Sequence, residues 1–72
     1  RYAAREQRDA IGLALAQLPE RQRRLLLLRD AEGLSYAEIA DVLELSLSAV
    51  KVNLFRARNA FRAAYDAMEP SR

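Results

Sequence analysis

Two helix-start signals eleven positions apart constrain this chain more than any other feature. Ser35-Tyr36-Ala37-Glu38 has the form S-x-x-E directly before an apolar periodic segment. In that arrangement the serine oxygen accepts the third amide of the helix while the glutamate reaches back to the cap amide. A helix therefore begins there, with Ile39, Ala40 and Leu43 on its inner face. It has no room beyond Leu43, because Ser46 is the next cap, with Leu45 before it and Val50 after it placed as a hydrophobic staple. Only the turn Glu44 to Ser46 separates the two helices, which is the connection of a helix-turn-helix.

The remaining segments read as helices too. Ile11, Ala14, Leu15 and Leu18 fall at i, i+3, i+4, i+7 and predict an amphipathic helix over about 3–17 with that stripe inward. Pro19 fits the first position of a second helix and Gly33 the left-handed position just past its end, giving 19–32. The run Leu25 to Leu28 covers more than one stripe, so this helix is expected to be packed on two sides. After the short helix 35–43, a fourth helix over 46–68 carries Leu47, Val50, Leu54, Ala57, Phe61, Ala64, Tyr65 and Met68 in one sector. Pro70 stops it, and Glu69 to Arg72 is expected to fray. The expectation is one all-α domain over 1–72, a compact four-helix fold of the winged-helix-like class without a wing, its helix-turn-helix at 35–68.

Composition agrees and excludes much chemistry. Half the 72 residues are hydrophobic and 31% charged, with two Gly and two Pro, the profile of a helical globular chain. Without Cys or His there is no disulfide framework, zinc-finger ligand set, thiol nucleophile or imidazole base, so neither an enzyme nor a cofactor or metal site is expected. No apolar run is long enough to span a bilayer. The reading is of a soluble, cytoplasmic, nucleoid-associated protein without membrane insertion or small-molecule substrate. Its start at Arg1 rather than Met reads as a piece excised from something longer.

Charge is divided along the chain. Residues 1–45 hold seven Arg against eight acids, whereas residues 46–72 hold Lys51, Arg56, Arg58, Arg62 and Arg72 against Asp66 and Glu69. The basic end is where a polyanion would sit. With Val50 and Leu54 inward, the opposite side of the fourth helix carries Ser48, Val52, Phe55, Arg56 and Asn59, flanked by Lys51 and Asn53. Val52 and Phe55 are apolar on an otherwise polar, positive surface, which suits a face that contacts something. In a DNA major groove apolar side chains meet thymine methyls, arginine binds guanine O6 and N7, and asparagine pairs with adenine. Lys51, Arg58 and Arg62 suit phosphates, which fix position without reading sequence. The plainer readings are solvated charges for Arg58 and Arg62, the latter spaced to pair with Asp66, and a protein-covered face for Val52 and Phe55. Ser46 and Ser48 read as a cap and a phosphate contact, and Tyr36 as structural.

The string Leu34-Ser35-Tyr36-Ala37-Glu38-Ile39-Ala40-Asp41-Val42-Leu43, followed by Val50-Lys51 and Leu54-Phe55-Arg56-Ala57-Arg58, resembles region 4 of bacterial sigma-70 family factors, in particular the extracytoplasmic-function (ECF) group. The likeness extends upstream through Leu18-Pro19-Glu20-Arg21, the leucine run ending at Arg29, and Glu32-Gly33. It implies four helices, binding of the minus-35 promoter element by the fourth, docking on the β flap of RNA polymerase, and control by an anti-sigma factor. Lys51 and Arg56 match promoter-facing positions, and Phe55 an aromatic or histidine position beside them. Glu44 stands where the turn commonly has Gly, Ser48-Ala49 replaces a usual Gly-Thr, and Val52-Asn53 a usual Ser-Arg. Two other readings fit the residues: the helix-turn-helix effector domain of another regulator, such as the LuxR-like type, and an interaction module that binds DNA weakly.

Overall fold

The computed structural model of this chain describes residues 2–68. The stop expected at Pro70 and the frayed end at 69–72 lie outside the described residues. Four helices account for the fold, and no strand occurs among the described residues: α1 Tyr2–Ala16, α2 Glu20–Leu26 prolonged by a π-helical turn Leu27–Ala31, α3 Tyr36–Leu43 and α4 Leu47–Met68. The first three each pack against α4.

Local chemistry sets the boundaries. At the end of α1 the Gln17 and Leu18 amides donate to the Ala14 and Leu15 carbonyls at 3.1 Å, a tightening of the last turn. Pro19 is extended (φ −53°, ψ 150°) and therefore caps α2 from outside, one residue before the helical position expected for it. Its carbonyl accepts the Arg23 amide at 3.0 Å, and the Arg23 guanidinium returns to the Leu18 carbonyl at 3.1 Å.

The second helix departs from the single regular helix that the sequence predicts. From Leu27 its turns widen, and the Glu32 amide donates five residues back to the Leu27 carbonyl at 3.0 Å. Four consecutive leucines point around most of a regular helix. Here Leu25 and Leu26 are buried, Leu28 is packed at the core's edge, and Leu27 is left 39% exposed. Gly33 (φ 73°) then reverses the chain, with the Leu34 amide on the Leu28 carbonyl at 3.0 Å. Arg29 holds the loop to α3 by donating to the Leu34 carbonyl at 2.9 Å and lying 5.1 Å from the Tyr36 ring centroid. Tyr36 thus serves the packing.

The capping box of α3 forms in both directions: Glu38 N to Ser35 Oγ is 3.0 Å and Ser35 N to Glu38 Oε1 is 2.8 Å. At the other end Glu44 adopts the left-handed conformation (φ 57°, ψ 49°), and the Leu45 amide closes the motif on the Ala40 carbonyl at 2.9 Å. Ser46 Oγ accepts the Ala49 amide at 3.1 Å and starts α4. Of the two halves of the expected staple, Val50 is in the core and Leu45, partly buried, packs against it.

That core is Leu18, Leu25, Leu26, Ile39, Val50, Leu54 and Ala57, with Leu15 of α1 partly buried against it. Besides Leu27, two residues expected inside are not. Leu47 is 47% exposed, because Leu45 rather than Leu47 packs at this end of the core, and Ile11 is 40% exposed along an open groove described below.

Leu54, 1% exposed at the middle of α4, should lose about 2–5 kcal/mol of stability as Leu54→Ala, measured by urea denaturation. Glu44→Gly should raise stability by up to about 1 kcal/mol, since a left-handed residue with a Cβ costs roughly 1–2 kcal/mol and glycine's larger unfolded-state entropy returns part of it; an unchanged or lower melting temperature would refute the strain.

Candidate nucleic-acid interface

Helix α4 has 22 residues and so is about 33 Å long. Its inward stripe, Val50, Leu54 and Ala57, is fully buried, which fixes the rotation of the helix and turns the opposite side outward. Ser48, Lys51, Val52, Phe55, Arg56 and Asn59 are all exposed there. Phe55 is 68% and Val52 47% exposed, large values for apolar side chains beside two cations. Between Leu47 and Tyr65 the helix carries Lys51, Arg56, Arg58 and Arg62 and no acid. The field over this face is therefore positive. At its start the Ser46 and Ser48 hydroxyls lie 3.4 Å apart, beside a helix N-terminus whose dipole also favours an anion.

Two residues of the sequence-predicted set sit apart from this face. Asn53 is half-buried. Arg58 is half-buried as well and donates to Asp30 Oδ1 at 2.9 Å, tying α4 to the π-helical turn. The Arg62–Asp66 pair that their spacing predicts is not made.

Beyond Arg58 the structure contains a feature that sequence reasoning assigned to the core. An open groove of about 540 Å³ runs between α1, the end of α2 with its π turn, and the second half of α4. Its wall is mainly apolar, formed by Ile11, Leu15, Leu26, Leu27, Phe61 and Tyr65, with Asp30, Arg58 and Arg62 also contributing. The Phe61 and Tyr65 rings stack at 5.9 Å and 22°, giving the groove a firm aromatic side. The legible signal was one of length: the apolar stripe of α4 runs further than α2 and α3, with 7 and 8 residues, can cover.

Among the described residues no group of three His, Cys, Asp or Glu side chains is placed to hold a metal ion. No described helix is long and apolar enough to cross a membrane.

Comparison with known proteins agrees with this geometry. Residues 8–61 match the family described as sigma-70, region 4. The chain is 46% identical over 50 residues to the RNA polymerase sigma-H factor of Pseudomonas aeruginosa, covering 69% of this chain and 26% of that protein. It is 38% identical over 55 residues to the ECF RNA polymerase sigma-E factors of Salmonella typhimurium and Escherichia coli K12, covering 76% of this chain and 29% of theirs. It thus spans 26 to 29% of the length of these relatives.

The Arg58–Asp30 pair is open to solvent, with side-chain exposures of 42% and 57%. A double-mutant cycle with Arg58→Ala and Asp30→Ala should give a coupling of about 1 kcal/mol or less in denaturation experiments, smaller still at high salt. A coupling several-fold larger and insensitive to salt would mean that the pair is a principal brace of the fold.

Proposed function

Since this chain belongs to the sigma-70 region 4 family, as a region 4 domain of the ECF type, we propose that it binds the minus-35 element of bacterial promoters and so directs RNA polymerase to initiate transcription. The observation that carries this reading is the exposed side of α4, free of acids from Leu47 to Tyr65, where Lys51, Val52, Phe55, Arg56 and Asn59 stand together on a helix presented by a capped turn. A helix of this kind fits the major groove. Arg56 is assigned to a guanine edge, Asn59 to a base edge further along, and Lys51 and Ser48 to phosphates. Asn53 and Arg58 take supporting places at the margin, Arg58 by way of Asp30. The domain acts by tethering, without catalysis, in the cytoplasm at the nucleoid.

The apolar groove supports a second contact in the same complex. A groove walled by Ile11, Leu27, Phe61 and Tyr65 suits the apolar face of a helix. The β flap of the polymerase core is the proposed occupant. An anti-sigma factor that covers the groove or the α4 face would block either contact. The LuxR-like alternative loses its ground with the family match.

In an anisotropy titration against promoter duplexes, Arg56→Ala should cost about 1–3 kcal/mol and relax the preference at one or two base pairs. Lys51→Ala should weaken binding to all sequences and lower the dependence of log K on log salt by about one unit. Equal losses on every sequence from Arg56→Ala would remove it from base reading.

A further inference from the structure

Val52 is the residue of the reading face that the charge argument leaves unexplained. It is 47% exposed on the outward face of α4, one helical turn from Ser48 on one side and from Arg56 on the other, and three residues from Phe55. Valine has neither donor nor acceptor, so it cannot read the hydrogen-bonding pattern of a base pair. Its branched side chain holds one strongly preferred rotamer in a helix, which keeps its methyls in a fixed position. A protein partner would be the ordinary explanation for an exposed valine and phenylalanine together. Here, however, Lys51, Arg56 and Arg62 lie along α4 between Leu47 and Tyr65, where the helix has no acid, and with Arg58 already paired to Asp30 these three remain complementary to a polyanion. On the major-groove edge of DNA the apolar group available to such a side chain is the C5-methyl of thymine.

We infer that Val52 is a specificity-determining residue that selects a C5-methylated pyrimidine at one position of the bound element. Thymine is its ordinary ligand, and 5-methylcytosine, which carries the same group at the same place in the groove, satisfies the same contact. Phe55 extends the apolar strip on one side, and Arg56 reads the neighbouring base pair. Cytosine methylation at that position then strengthens binding instead of obstructing it. This inference rests on the DNA-binding reading above and adds to it a contact that reads methyl groups alone.

The test uses the 72-residue chain and the duplex it selects from a library of randomised DNA. Each thymine in turn is replaced by deoxyuridine, which removes the methyl and nothing else. Binding is followed by anisotropy at low salt. At one thymine the replacement should weaken binding about three- to fivefold, the value of one buried methyl. In Val52→Ala the penalty at that thymine should vanish while penalties elsewhere persist. At the same position, 5-methylcytosine should exceed cytosine by a similar factor for the wild-type chain and not for Val52→Ala. Melting of Val52→Ala, expected to match wild type because the side chain is half exposed, controls for folding. A selected duplex with no methyl-sensitive thymine, or a penalty that survives Val52→Ala, overturns the inference and leaves DNA binding standing. Failure to select any duplex overturns both.

Discussion

The fold depends on the burial of one stripe of α4. α1, α2 and α3 all pack on this helix, and Val50, Leu54 and Ala57 share a core with Leu25 and Leu26 of α2, Ile39 of α3 and Leu18 from the turn after α1. With 72 residues and no cysteine there is no disulfide reinforcement, so this apolar contact has to hold the domain together. The same contact determines function, because a helix locked by one side has its other side specified. The outward placement of Lys51, Val52, Phe55 and Arg56 follows from the inward placement of Val50 and Leu54.

The sequence disclosed whatever is encoded within a few residues. The Ser35–Glu38 box, the Ser46 cap, the left-handed Gly33 and the buried side of α4 are all local patterns, in which a backbone amide finds a partner three residues away or an apolar residue recurs every helical turn. The departure at Glu44 was equally visible, and the structure gives it the left-handed conformation that the turn demands. The helix-turn-helix and the face it presents could therefore be read in advance.

What escaped is long-range. The Arg58–Asp30 pair joins residues 28 apart, and each has a plausible local role that hides the other. The widening of the helix at Leu27–Ala31 leaves no signature in periodicity, since four adjacent leucines are compatible with either winding. The groove was hidden in another way. An apolar stripe states which residues avoid water and not what covers them, so Ile11 and Leu27, with Phe61 and Tyr65, read as interior when they line an open surface.

The length of α4 has a mechanical consequence. The exposed residues Lys51, Val52, Phe55 and Arg56 occupy its first half and the groove residues Phe61 and Tyr65 its second, on one uninterrupted helix with no proline or glycine between Leu47 and Met68. Such a rod behaves as a lever. Over the roughly 20 Å between its two working ends, a tilt of about 5° imposed at the groove swings the reading face by nearly 2 Å. A base-edge contact fails over a smaller displacement than that. A load applied at the groove would thereby change the angle at which the other end meets its target, so the two ends of α4 are mechanically coupled.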